Sequence, residues 1–356
     1  MKRIFIFVTV VLFAAGAAFA EEATLIDFSK LVADIYVDQG DPAGGAQTPN
    51  QNRQTLMDFG ASKYALTLDA DSKRLMKTSL ALPNWTVVLA SSARNVTNQV
   101  RSYTHASKST QWGTVLGVRV HFPVEPFNSW AKIAPPFTIP AFDFQTVDAD
   151  GNLSEQTPSS AVSAVSRFEG GPDADDTGKA PGGYGVVKNV GTIKSIAVNA
   201  YGLNFPHSLS AILLKGDGTE QIVFLGYLNY DGWGELTWNN PAYVSEVRNR
   251  ELRLYPFYPA TTPSVKFGGF LIQRDADKEG GDFIAYFKDV KIIYDKAVLD
   301  TPRDIDDEAE WGLIIERENA KQTFEQEKFG QNQVQQFQEK RKQAPETGFT
   351  PTPTND

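Results

Sequence analysis

The stretch from Tyr184 to Trp238 constrains the fold most, because its side chains alternate in a two-residue rhythm between compact turn signals. Ile196, Val198 and Ala200 alternate with Ser195, Ala197 and Asn199. That is the pattern of a strand with one face in a core and one in solvent. Leu209 to Lys215 and Gln221 to Leu225 read as two further strands. Gly216-Asp217-Gly218 between them is a hairpin signal, since glycine and aspartate tolerate positive φ. Asp231-Gly232-Trp233 reads as another turn, leading into aromatic strand residues at Leu236-Thr237-Trp238. A segment this regular, rich in aromatics and short of paired nucleophiles and bases points to packing and surface recognition rather than catalysis.

The same rhythm recurs along the chain. Strands are expected at Tyr64–Leu68, Thr86–Leu89, Val115–Phe122, Phe137–Phe142, Val165–Phe168 and Gly185–Val190. They continue at Lys194–Ala200, Leu209–Lys215, Gln221–Leu225, Glu235–Trp238, Arg250–Leu254, Val265–Gln273 and Phe283–Tyr294. Many short strands between Gly, Pro and Asn turns, with no helical pattern between them, predict a mainly β, antiparallel jelly roll or β-sandwich over residues 21–300, of the kind seen in carbohydrate-binding modules. No βαβ rhythm appears, which disfavours a parallel α/β sheet. Asp38 to Gln54, Phe122 to Pro140 and Gly170 to Gly183 read as long loops. The middle one, with five prolines, is too proline-rich for a central strand.

Residues 301–356 form a tail of different character. Asp304 to Gln343 lacks proline and is rich in Glu, Gln, Lys and Arg, which favours helix. Asp304 and Asp306 suit its start. Trp311, Ile314 and Ile315 make a short apolar stripe, followed by Phe324, Phe329, Val334 and Phe337. Two readings fit this spacing: a solvated helix partly docked on its own domain, or an arm that grips a neighbouring subunit. The Pro/Thr-rich end after Ala344 reads as disordered.

Residues 1–20 read as a signal peptide: Lys2 and Arg3, an apolar run from Ile4 to Ala15, then Ala18-Phe-Ala20 ahead of cleavage at Glu21. The run is shorter than the ~20 residues a membrane span needs. The chain has no cysteine, and beyond the leader it is long enough to build a core without disulfides. The formal net charge of −9 argues against nucleic acid or an anionic membrane as partner, since both demand a basic surface.

Chemistry-bearing motifs are sparse. His105, His121 and His207 lie in separate segments without ligand spacing. No nucleophile elbow, no His-Glu-x-x-His and no phosphate-binding glycine loop occurs. Asp275-Ala-Asp-Lys-Glu-Gly280 imitates the first half of a calcium loop, but Tyr286 stands where the bidentate carboxylate belongs. It reads instead as a charged hairpin turn. No catalytic residue, metal ligand or cofactor site is expected. Among the six Trp, twelve Tyr and 23 Phe, most must be core. The candidate contact residues are Trp112, after a polar Ser/Thr stretch, Phe127 and Trp130 in the proline-rich loop, and Trp311, Phe324 and Phe337 in the tail.

Gly185-Val-Val-Lys-Asn-Val-Gly-Thr-Ile-Lys-Ser-Ile196, Tyr201-Gly-Leu-Asn-Phe-Pro206 and Gly226-Tyr-Leu-Asn-Tyr-Asp-Gly-Trp233 resemble the outer layer (sheath) proteins of spirochaete periplasmic flagellar filaments. Thr24-Leu-Ile-Asp-Phe-Ser29, Asn84 to Arg94, Val115 to Pro123, Phe127 to Ala131, Phe267 to Arg274 and Tyr286 to Val290 extend the resemblance over most of the chain. It implies a non-enzymatic structural subunit in the periplasm that coats a filament and tunes its stiffness and coiling. The implied partners are flagellin-like core proteins and other sheath subunits; glycans on the core join them where the coat also recognises sugars. The alternative is a carbohydrate-binding β-sandwich of the cell envelope, with loop tryptophans stacking on sugars.

Overall fold

The computed structural model describes residues 21–31, 57–58, 62–74, 76–78, 80–141, 145–147, 153–155, 190–215, 218–246, 265–296 and 308–313, with 316–317, 320, 324, 327, 330–335 and 338 beyond them. In chain order the strands are β1 (Glu21–Asp27), β2 (Met57–Asp58), β3 (Lys77–Thr78), β4 (Thr86–Leu89), β5 (Tyr103–Ser109), β6 (Gly113–Phe122), β7 (Ser129–Ala134) and β8 (Ile139–Pro140). They continue with β9 (Gln145–Val147), β10 (Leu153–Glu155), β11 (Val190–Leu203), β12 (Ser208–Leu214), β13 (Glu220–Tyr227), β14 (Asp231–Asn239), β15 (Lys266–Arg274) and β16 (Gly281–Lys296). Short helices are α1 (Ala70–Arg74), α2 (Val96–Arg101) and α3 (Glu308–Trp311).

The strands build two main antiparallel sheets. Sheet I runs β14-β11-β16-β6-β5, and sheet II runs β13-β12-β15-β7-β4. The long strand β16 is shared along one edge, with β6 on Gly281 to Phe287 and β1 on Asp289 to Tyr294. Consecutive strands switch sheets. β11 pairs with β14 in sheet I while β12 pairs with β13 in sheet II, so the four form one long hairpin folded over from one sheet to the other. β6–β7 and β15–β16 repeat the device. This winding is that of a jelly roll.

Alternation fills the space between the sheets. Val118, Val120 and Phe122 of β6, Ile196, Val198 and Ala200 of β11, and Phe283, Ala285 and Phe287 of β16 face inward from sheet I. They meet Ala131 and Ile133 of β7, Leu209, Ala211 and Leu213 of β12, and Phe267, Phe270 and Ile272 of β15. Phe270 stacks on Phe287 at 4.6 Å and 15°, joining the sheets at their centre. Phe28, just after β1, meets Trp85 edge-on at 5.1 Å. Each fully buried large side chain contributes about 1.5–3 kcal/mol. A core of this size makes cysteine staples unnecessary.

Several expectations are corrected. Tyr64–Leu68 is not a strand; a 3-10 turn covers Lys63–Ala65, and of its neighbours only Ala65 is fully buried. The 122–140 segment is not one loop. Its prolines sit before and after β7 and none lies within it, so Ala131 and Ile133 alternate into the core and β7 pairs with both β15 and β4. Among the described residues of Phe137–Phe142, only Ile139–Pro140 is a strand, as an edge on β15. Asp231-Gly232-Trp233 belongs to β14 rather than to a turn; the bend falls at 228–230. The 275–280 turn is not a hairpin of one sheet, because β15 lies in sheet II and β16 in sheet I. β1 and β5 are strands that the residue pattern left unassigned. The leader, the 38–54 and 170–183 segments, and the expected strands Val165–Phe168 and Arg250–Leu254 lie outside the described residues.

The described tail residues are mostly helical. Val334 is buried with Ala65 and Met76 in a small second cluster. Gln333 Nε2 donates to the Pro136 carbonyl at 3.0 Å, and Glu327 pairs with Lys63. The tail therefore docks on its own domain through Glu327, Gln333 and Val334.

Candidate assembly and binding surfaces

Register decides which side chains share the outer face of sheet II. Trp130, Gln273, Ser208 and Tyr227 line up across β7, β15, β12 and β13. The next row is Lys132, Leu271, Ser210 and Phe224, and the one after holds Gly269, Ile212 and Ile222. A register shift between Leu209 and Ser210 sets Leu225 in a bulge, so Phe224 and Tyr227 both emerge on this face, their rings 5.4 Å apart. Ile222, Phe224 and Tyr227 are 53%, 49% and 47% exposed. Lys132 and Glu220 neutralise each other at 3.0 Å. Edge strands normally carry lysine, proline or inward charge to prevent pairing with another chain. β13 has neither lysine nor proline, and among the described residues nothing pairs with its outer edge.

The outer face of sheet I is different. One row across it reads His105, Gly117, Tyr286, Tyr201 and Trp233. Tyr201 meets Trp233 at 5.4 Å and 79°, and Tyr286 at 6.0 Å and 78°. At Gly117 the Ser107 side chain covers the backbone, since a Cβ there would lie 2.3 Å from Ser107 Oγ. Because β1 takes over the edge of β16 after Phe287, the tip of the β5–β6 hairpin is freed from the sheet. Trp112 at that tip reaches to 6.4 Å from Trp233, at 83°, and Lys288 Nζ lies 4.9 Å from its ring. Its Nε1 is buried and has no acceptor among the described residues. Lys288 pairs with Asp289, which accepts from Asn199 Nδ2 at 2.8 Å. Glu235 stands opposite Asn199, exposed.

One end of the sandwich carries a third constellation. Arg274, at the end of β15, is 1% exposed. Its guanidinium donates to the carbonyls of Pro123, of Glu125 at 2.6 Å and of Phe127 at 2.7 Å, and lies 5.9 Å from the Phe127 ring. It thus fixes the β6–β7 corner. Gly280 makes room for it, since a Cβ there would sit 2.0 Å from the Pro123 carbonyl oxygen. His207 is buried among Phe122, Phe205 and Phe283, and burial, with Arg274 nearby, pushes its pKa down to about 4. Asp282 accepts from Arg119 (2.8 Å), His121 (2.7 Å) and Arg101 (3.0 Å). The Arg119 hydrogen bond leads in holding its carboxyl down to about 2. No group of three or more His, Asp or Glu side chains suited to a metal occurs among the described residues.

The residues singled out from sequence are dispersed. Trp112 is half-buried on the sheet I face, and Phe127 lies under Arg274. Trp130 is not in a loop but on β7, on the outer face of sheet II and 39% exposed. Trp311 and Phe324 are exposed on the tail, at 68% and 63%. Phe337 lies outside the described residues. Sequence reasoning missed Ile222, Phe224 and Tyr227, and the row Tyr286, Tyr201, Trp233. A signal for the first set existed. Ile222-Val-Phe-Leu225 is apolar at both parities, which a strand with one face in water does not need.

A model of the flagellar filament outer layer protein family, FlaA, matches residues 48–303. The chain belongs to this family. It is 46% identical to the flagellar filament outer layer protein of Treponema pallidum, over 99% of this chain and 97% of the relative. It is 43% identical to that of Spirochaeta aurantia (98% and 95%), and 27% identical to that of Borreliella burgdorferi (83% and 76%). The family is structural, a component of the filament's outer layer, and its members are associated with the flagellum. Among solved structures the chain is similar to a carbohydrate-binding module of the β-sandwich superfamily, at TM-score 0.29 and 11% identity over 59% of this chain and 57% of that one. It is also similar to a galactotriose-bound module, at TM-score 0.26 and 8% identity, over 60% and 90%. These superpositions are too loose to transfer a binding site. No helix among the described residues is long and apolar enough to cross a membrane.

Proposed function

We propose that this chain is a non-catalytic sheath subunit that coats a flagellin-like filament core in the periplasm and contributes to filament stiffness and coiling. Near-full-length likeness to relatives named as outer layer proteins supports the filament role. The observation that carries the assembly reading is the outer face of sheet II. Ile222, Phe224 and Tyr227 form a charge-compensated apolar band on an edge strand that no other described strand covers, a surface that a subunit repeated along a filament buries against a neighbour. Trp130 at the far side of that face and the tail residues Trp311 and Phe324 supply further contact. The partners are the core proteins and other sheath subunits. Deletion of the gene should thin the isolated filaments and alter their coiling under electron microscopy. Filaments of unchanged diameter contradict the proposal.

A further inference from the structure

We propose that the outer face of sheet I binds a neutral oligosaccharide of hexose units. The rings of Tyr286, Tyr201, Trp233 and Trp112 form one chain of near-perpendicular contacts on a surface that the core does not use. Aromatic side chains on the solvent side of a sheet contribute little to folding unless something covers them. All four rings are half-buried, so each keeps part of its surface in solvent for a ligand, while the edge-to-face contacts fix their mutual orientation. The C–H face of a pyranose fits the negative face of such a ring.

Polar groups border the rings, as an orienting site requires. Glu235 is an exposed acceptor beside the half-buried Asn199, whose amide is oriented by the buried Asp289. At Gly117, beside Tyr286, the Ser107 side chain takes the place of a larger group, and Trp112 stands over the other end as a wall. Charge selects the ligand class. The cation nearest the rings, Lys288, is paired with Asp289 and lies over Trp112, while Glu235 and Asp231 of β14 are acidic. An anionic ligand therefore meets no uncompensated cation at the rings. A neutral sugar needs none.

The test uses the purified protein on an array of neutral hexose glycans, with cellohexaose, maltohexaose and oligogalacturonate titrated by calorimetry and tryptophan fluorescence. A neutral oligosaccharide should bind with a Kd of roughly 10 μM to 1 mM and shift the fluorescence of Trp112 and Trp233. Trp233→Ala and Tyr201→Ala should each weaken binding at least about tenfold, while Trp130→Ala on the opposite sheet leaves it unchanged. Glu235→Gln, at an exposed site that keeps the fold, should weaken binding about threefold to tenfold, and thermal melts confirm that each variant is folded. Silence across the neutral glycans overturns the proposal. So does binding of oligogalacturonate alone, or affinity that survives Trp233→Ala and Tyr201→Ala. A Trp233→Ala protein that loses the sugar but still enters filaments separates this site from the assembly surface.

Discussion

Sheet II turns Ile222, Phe224 and Tyr227 to solvent along an edge that no described strand pairs with, whereas sheet I turns Tyr286, Tyr201 and Trp233 outward beside the Asn199–Asp289 hydrogen bond. The two sheets are alike in strand order and antiparallel pairing, and they share one core. What separates them is the side chain at the outward-facing positions of each strand. Aliphatic groups and a phenyl ring without hydrogen-bonding partners suit a protein surface that excludes water. Rings flanked by polar groups suit a ligand that must be oriented as well as covered. One folded hairpin, β11 to β14, supplies residues to both faces, so a single stretch of sequence encodes two surfaces.

The comparison breaks most completely if the corner joining the sheets gives way. Arg274→Ala strands three backbone carbonyls and frees the 123–128 corner, so it should cost about 3–5 kcal/mol and lower the melting temperature of the whole domain. Arg274→Lys, with no planar fork, should recover only part of that loss. A normal melt for Arg274→Ala would mean that the two faces are built independently. The next effect is selective. Phe224→Asp puts a charge in the sheet II band and should weaken incorporation into filaments by roughly 2–4 kcal/mol while leaving the melt within about 1 kcal/mol. Equal loss from Trp233→Ala would erase the distinction between the faces.

Smaller effects sharpen the picture. His207 has a folded pKa of about 4, below the 6.5 of a free imidazole. Between those values the unfolded chain holds a proton that the native one lacks, so stability should fall as pH drops from 6.5 toward 4, by up to roughly 3 kcal/mol, and level off below. His207→Phe should flatten denaturant midpoints across that window. Asp282 acts in a separate one: its carboxyl, lowered to about 2, adds stability above the normal carboxylate range that is lost as pH falls toward 2. Asp282→Asn should remove that acid limb alone. Least of all, truncation after Pro302 removes the Val334 contact with Ala65 and Met76, worth about 1–2 kcal/mol. A cooperative melt should remain, with weaker assembly. Loss of cooperativity would make the tail part of the domain.

Much of the sandwich was legible because burial on one face writes itself as alternation. Thr86–Leu89 matches β4, and the cores of β6, β11, β12, β13, β15 and β16 lie where their patterns put them. β7 escaped because prolines crowd its flanks, and proline counts over a window cannot tell flank from interior. β5 escaped because its burial pattern never reaches a fully buried residue. The surfaces were harder to read. Trp112 was recognisable as an aromatic outside the strand pattern, but its partners Tyr201, Trp233 and Tyr286 come from three strands up to 85 positions apart and meet only through register. Phe127 was a contact candidate from sequence, but its seat against Arg274, 147 residues away, could not be read from the chain.

A cryo-electron map of isolated filaments, with the sandwich fitted as a rigid body, tests the assembly role most directly. A sheath subunit of this kind places the domain in the outer layer, with Ile222, Phe224 and Tyr227 occluded against the core or an adjacent subunit. A map that leaves this face of sheet II open to solvent, or shows no such domain on the filament, contradicts that role.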